Sequence, residues 1–136
     1  MTTAPFAPGV SIILLTRNGM PEFETNLDRI LDQEYAGPVE IVHIDTASTD
    51  ETREIAQARG IETHPIAVDD FHHSRTRNRA ADLARHEILV LISQDAMPVD
   101  RHWLANLIAP FEDPKVGGVY GRQIPPDGMG PLRSYA

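Results

Sequence analysis

Residues 39–60 read VEIVHIDTASTDETREIAQARG, and the change of period inside this stretch decides the fold. Val39 to Asp45 is an apolar-rich run of strand length. Ser48-Thr49-Asp50-Glu51 then has the form of a capping box, with Ser48 as cap and Glu51 reaching back. The helix it starts is expected to run to about Arg59 and to stop at Gly60, a residue suited to the left-handed turn that ends helices. A strand followed at once by a helix is half of a βαβ unit.

The same alternation continues on both sides. Upstream, Val10 to Thr16 (VSIILLT) is continuously apolar, as in a strand covered on both faces. From Glu22 to Tyr35, Phe23, Leu27, Ile30 and Leu31 form a helical stripe that Ala36-Gly37-Pro38 stops. Downstream, Ile61 to Ile66 is a weaker strand interrupted by Pro65. Ser74 to about Arg85 is a helix with Ala80, Ala81, Leu83 and Ala84 inward. Glu87 to Ser93 (EILVLIS) is the most apolar strand and is expected at the sheet centre. Asp100 caps a helix that buries Trp103, Leu104, Leu107, Ile108 and Phe111, and Lys115 to Gly121 is read as a fifth strand. The pattern predicts an α/β domain over residues 9–124 with a mainly parallel sheet of about five strands. Residues 1–8 read as a disordered lead-in. Residues 125–136, which include Pro125-Pro126-Asp127-Gly128, read as a loop or linker.

Bulk properties narrow the function. The chain has 136 residues, enough for one domain, with 41% hydrophobic and 24% charged residues. A net charge of -8 argues against a nucleic-acid binder, which needs a basic face to displace counterions. No run reaches the ~18 apolar residues of a membrane span, and the N-terminus lacks signal-peptide order. The absence of cysteine excludes disulfides and thiolate metal sites and is compatible with a cytoplasmic setting.

In parallel sheets, ligands gather at the carboxyl ends of the strands. Three polar clusters fall there: Thr16-Arg17-Asn18, Asp45 to Asp50, and Ser93-Gln94-Asp95. A carboxylate ending an apolar strand is unfavourable without a cation or donor beside it. The Phe71–His86 segment supplies the opposite charge through Arg75, Arg77, Arg79 and Arg85, against the single acid Asp82. Taken singly, Asp45 and Asp50 suit turn and cap roles, Asp95 suits a loop, and the arginines suit a solvated helix face. His72 and His73, being adjacent, point in different directions and do not share one ion. Together, a helix start with arginines and a metal on Asp95 would suit a pyrophosphate.

The order of these motifs resembles family 2 of the inverting glycosyltransferases, with their A-type Rossmann-like fold. VSIILLTRN is similar to that family's opening strand, and IVHIDTASTDET to its acidic turn. SRTRNRAADLARHEILVLISQDAMP is similar to its Arg-Asn helix and metal-binding strand end, and Trp103-Leu104 and VYGRQIP follow in order. FHHSRTRN, SQDAMP and VYGRQ look most like the rhamnosyltransferase branch. The resemblance implies a nucleotide-diphosphate sugar donor, UDP- or dTDP-linked, and a glycan or lipid-linked acceptor in cell-wall or polysaccharide biosynthesis. It also implies a cytoplasmic site, with room for peripheral attachment of the full enzyme at the inner membrane face. By the same resemblance, Thr16 and Asp45 would contact the base and ribose, and Arg77 would lie near the base or phosphates. Arg17, Asn18, Ser48 and Gln94 would complete the nucleotide site, and Asp95 would coordinate Mg²⁺ or Mn²⁺.

The sequence departs from the family pattern in two places. Ser93 stands where the first acid of the metal motif is usual, and Thr46-Ala47 replaces a pair that includes a glycine. Inversion also needs a base for the acceptor hydroxyl. Asp127 is the only acid after residue 121, and its turn setting does not suit that role. The chain is therefore expected to be the donor-binding portion of such an enzyme. The alternative is a non-catalytic nucleotide-sugar-binding fragment. A receiver domain does not fit, because Thr16-Arg17-Asn18 replaces its acidic pair. A dinucleotide oxidoreductase does not fit either, because RNGMPEF replaces the glycine-rich turn.

Overall fold

The computed structural model describes residues 5–121. Four strands, β1 (Val10–Thr16), β2 (Val39–Thr46), β3 (Thr63–Ile66) and β4 (Ile88–Ser93), form one sheet in the order β3-β2-β1-β4. Every pairing is parallel, as the alternation of strands and helices requires. The connecting helices are α1 (Glu22–Leu31), α2 (Thr52–Ala58), α3 (His73–Leu83) and α4 (Trp103–Ile108). No helix among the described residues is long and apolar enough to cross a membrane.

Side chains of β1 and β2 alternate between two apolar layers. Val10, Ile12 and Leu14 pack with Phe23, Leu27 and Ile30 of α1, with Ala56 of α2, and with Leu104 and Ile108 of α4. On the other face, Ile13, Val42 and Ile44 meet Ala80 of α3. This double covering accounts for the unbroken apolar run of β1. Gly60, at φ +76, closes α2 where a left-handed residue was expected.

The structure corrects several expectations. Among the described residues the sheet has four strands, close to the five expected, and β4, expected at the centre, lies at its edge, with β1 between β2 and β4. α3 spans β1 and β2 but not β4, so Leu89 and Leu91 stay 38% and 58% exposed. The apolarity of β4 therefore does not mark a central position. Lys115–Gly121 pairs with no strand among the described residues, and Tyr120 is 95% exposed. With Gly117 and Gly118 in open space, the segment has little side-chain surface to hold it on a sheet. α1 and α3 also end earlier than expected, at Leu31 and Leu83, and both of these leucines, expected to face inward, are exposed. The capping box does not form. Ser48 turns back to Asp45, and the Asp50 carboxylate instead accepts the N–H and the hydroxyl of Thr52 at the start of α2.

The chain order β1-β2-β3 builds outward on one side, and β4 then returns to the other side of β1. The topological switch point therefore lies between β1 and β4, where the carboxyl ends diverge.

Candidate nucleotide-binding site

A cleft of about 460 Å³ opens at that switch point. Ile13 and Leu15, beside the α3 contact, and Leu91, on the strand that α3 leaves uncovered, form its floor. Thr16, Arg17, Thr46, Ser93 and Gln94 line its strand-end rim. Val68, Phe71, His73 and Arg77 form the opposite wall, from the segment before α3 and from the first turns of α3 itself. Phe71 meets the His73 ring edge-on, with centroids 4.9 Å apart, so the wall is braced by an aromatic contact. An apolar floor with a few polar groups at the rim is the usual composition of a small-molecule site.

The rim is fastened by reciprocal bonds between strand ends. The Arg17 N–H donates to Gln94 Oε1 at 2.8 Å, and Gln94 Nε2 donates to the Arg17 carbonyl at 3.0 Å. Asn26 of α1 donates to the Gln94 carbonyl. A Cβ on Gly19 would come within 3.1 Å of Gln94 Oε1, so this turn passes close to the carboxamide.

Behind the rim, the acidic turn folds around Asp45, which is fully buried. Its Oδ1 accepts the Thr16 hydroxyl at 2.7 Å and the Ser48 hydroxyl, and its Oδ2 accepts the Ser48 N–H at 2.9 Å. Arg53 Nε lies 3.6 Å from Oδ2 and has no hydrogen-bond partner among the described residues. A buried carboxylate with three hydrogen bonds and a guanidinium beside it has the compensation that burial demands. Asn18 Oδ1 accepts the Thr49 N–H at 2.7 Å, and the Asn18 N–H donates to Ser48 Oγ at 2.9 Å. Both turns use left-handed residues, Asn18 at φ 48 and Ala47 at φ 45. At Asp50, hydrogen bonds from Thr52 and Met20 outweigh burial and hold the carboxyl below its ordinary pKa.

The expected site residues thus fall into three groups. Thr16, Arg17, Arg77 and Gln94 line one cleft. Asp45, Ser48 and Asn18 form the network that supports the rim, with Asp45 and Ser48 buried rather than lining the cleft. Asp95 is exposed in the turn immediately after Gln94. Arg85 points elsewhere, to Glu40. Three contributors were not anticipated. Arg53 reaches Asp45 from the first turn of α2, a position readable from the shortness of the turn between them. His43 shares a strand face with Asp45 by the two-residue period. Phe71 carried no signal beyond its place before an arginine-rich helix.

Among the described residues no three His, Asp or Glu side chains group to hold a metal. One exposed carboxylate, Asp95, still suits Mg²⁺ or Mn²⁺, which keep several waters and bind through one or two carboxylates plus substrate phosphates. The donor set fits an ion shared with a ligand's phosphates, not one caged by protein.

Comparison with known proteins bears on the family and the fold. The family model described as "Glycosyl transferase family 2" matches residues 11–135. The O-antigen chain rhamnosyltransferase RfbN of Salmonella typhimurium is 33% identical over 129 residues, 93% of this chain and 41% of that protein. The O-antigen chain rhamnosyltransferase WbaN of Salmonella anatum is 34% identical over 100 residues, 73% of this chain and 32% of that one. Among solved structures, the mannosyltransferase PcManGT of Pyrobaculum calidifontis, in complex with GDP-Man and Mn²⁺, superposes with a TM-score of 0.70 at 32% identity. That match covers 84% of this chain and 36% of PcManGT. The S. aureus protein TarS 1-349, in complex with UDP-GlcNAc, shares the fold at a TM-score of 0.61 and 22% identity, over 86% of this chain and 37% of that one. The chain spans less than half of each of these relatives.

Proposed function

The chain belongs to glycosyltransferase family 2, and from that premise we propose that it is the donor-binding portion of an inverting enzyme that transfers a sugar from a nucleotide-diphosphate sugar to a glycan or lipid-linked hydroxyl. One observation carries this reading: Arg77 of α3 and the Thr16, Arg17 and Gln94 rim converge on one cleft at the switch point of a parallel sheet. The apolar floor offers a surface for a base or sugar ring. Arg77 offers a forked donor to phosphate oxygens, and the start of α3 offers free N–H groups and a partial positive charge. When bound through Asp95, Mg²⁺ or Mn²⁺ would neutralise charge on the departing diphosphate. Similarity to two O-antigen chain rhamnosyltransferases supports a polysaccharide acceptor; a dTDP- or UDP-linked donor and a cytoplasmic site of action complete the proposal.

A second reading, a non-catalytic nucleotide-sugar-binding module, draws on the lining of the cleft. Its described residues include no Asp or Glu to deprotonate an acceptor. Asp127 lies outside the described residues. Both readings require diphosphate binding, and only the first requires transfer.

Calorimetry with UDP, dTDP and GDP, with and without Mn²⁺, tests the shared claim. Saturable binding that tightens with Mn²⁺, and loses the Mn²⁺ effect in Asp95→Ala, is expected. A folded chain that binds none of them at ~1 mM would overturn the donor-site reading. In transfer assays with dTDP- and UDP-sugars and a lipid-linked acceptor, this chain alone should show little or no turnover, and efficient turnover would overturn its reading as a donor-binding portion.

A further inference from the structure

His43 lies on β2 two residues before Asp45 and is completely buried. It stacks on Phe23 of α1, with ring centroids 5.9 Å apart and planes inclined by 23°. Its Nε2 is 2.8 Å from Thr16 Oγ1, and its Nδ1 is 3.0 Å from Thr63 Oγ1 of β3. Thr16 Oγ1 is in turn 2.7 Å from Asp45 Oδ1. Three strands are thereby joined by one line of side-chain hydrogen bonds.

The direction of that line follows from counting protons. Asp45 faces the Thr16 hydroxyl, the Ser48 hydroxyl, the Ser48 N–H and Arg53, so its oxygens act as acceptors. Thr16 has one hydroxyl proton and donates it to Asp45. The bond to His43 must then carry the histidine's proton, so Nε2 is the N–H. The charged and titratable neighbours of the ring are Asp45 on its own strand, His64 on β3 and, beyond Asp45, Arg53 on α2. Burial outweighs the attraction of Asp45 and pushes the ring's pKa down to about 4, so it is neutral at pH 7. A neutral ring protonated on Nε2 leaves Nδ1 as an acceptor for the Thr63 hydroxyl. The protons therefore run Thr63 to His43 to Thr16 to Asp45, all in one sense.

We infer that His43 is a positioning residue of the nucleotide site: locked as the neutral Nε2–H tautomer, it holds the Thr16 hydroxyl on Asp45 and so fixes the strand-end rim of the cleft. The inference rests on the donor-site reading. His43 touches no cleft space itself and acts through Thr16, which lines it. Without the Nε2–H donor, the Thr16 hydroxyl is free to rotate off Asp45, and the buried carboxylate loses one of its three hydrogen bonds.

The test combines a ligand-free readout with a double-mutant cycle. Nitrogen-15 imidazole NMR of the unliganded chain at pH 7 should show His43 protonated on Nε2 alone. An Nδ1–H or doubly protonated ring overturns the inference. In calorimetry with dTDP and UDP, His43→Phe keeps the stack on Phe23 but removes the donor, and is expected to weaken binding about tenfold. His43→Gln, which can still donate to Thr16, should recover affinity to within about threefold of the parent. In a Thr16→Val background the His43→Phe change should cost less than about twofold, because its route is already gone. Equal losses in both backgrounds, or none in either, overturn the inference. Should His43→Phe fail to fold, His43→Leu, which also lacks the donor, takes its place in the same cycle. If the parent binds neither nucleotide although the ring shows the Nε2–H form, it is the donor-site reading that fails. The positioning role falls with it.

Discussion

The Thr16 hydroxyl and the Asp45 carboxylate, partners in the β1–β2 register, are joined by a 2.7 Å hydrogen bond at the carboxyl end of the sheet. This bond joins the cleft rim to the buried acidic turn. Thr16→Val keeps the shape and removes the hydroxyl. It should lower stability by about 1–2 kcal/mol in urea denaturation, since a buried carboxylate loses a donor. It should also weaken dTDP and UDP binding about tenfold by calorimetry. Unchanged affinity would mean that the network does not support the site.

The part of this arrangement legible in the sequence was its placement along the chain. The switch from strand to helical period around Asp45 located the acidic turn, and the apolar run of β1 put Thr16 at a buried strand end. The alternation of elements put both at the carboxyl edge of a parallel sheet. What was not legible depends on contacts between distant elements. Ser48 beside Glu51 has the local signature of a capping box, but Asp45 outcompetes the helix start for Ser48 because a buried charge gains more from a donor than an exposed N–H does from a cap. The apolarity of EILVLIS reports which faces could be covered. Which ones α3 covers is a tertiary matter, so β4 looked central. Arg53 and His43 carry no motif; turn length and strand period put them near Asp45, but their bonds form only when α2 and β3 close on Asp45 and Thr16.

His43 makes stability depend on pH on the acid side. Its pKa in the folded chain is about 4, below the ordinary 6.5, so the unfolded chain takes up a proton that the folded chain refuses. The stability present above pH 6.5 is therefore lost as pH falls from 6.5 toward 4. The loss between pH 7 and pH 5 should be about 2 kcal/mol. Urea denaturation at the two pH values should show it in the parent and not in His43→Gln. Asp50 and Glu40, held below their ordinary pKa, lose their contributions only at lower pH. Equal acid sensitivity in parent and variant would show that His43 is not held neutral by burial.

Ala47 adopts φ 45 in the turn between Asp45 and Ser48. A Cβ there costs roughly 1 kcal/mol, while glycine adds entropy to the unfolded chain. Ala47→Gly should therefore be neutral to stabilising, by up to about 1 kcal/mol. Ala47→Val should be destabilising, because a β-branched side chain fits this region worse. Thermal melts of the three proteins decide it, and a clear loss on Ala47→Gly would mean that Ala47 is not under strain.

Asp50 holds the start of α2 to the β1 turn, accepting from Thr52 and from the Met20 N–H at 3.1 Å. Asp50→Ala should cost about 1–2 kcal/mol, in the range of a lost helix cap. Asp50→Asn should recover part of it by keeping a carbonyl acceptor. Equal denaturation midpoints for parent and alanine variant would remove Asp50 from the structural account.

The most direct test of the donor site is a titration of the nitrogen-15-labelled chain with dTDP and UDP in the presence of Mg²⁺, followed by amide NMR. The account predicts that the largest shifts fall on Thr16, Arg17, Arg77, Gln94 and Asp95, around the cleft between β1, β4 and α3. Shifts centred instead on the acidic surface of Asp50, Glu51 and Glu54, or no shifts at saturating nucleotide, would contradict it.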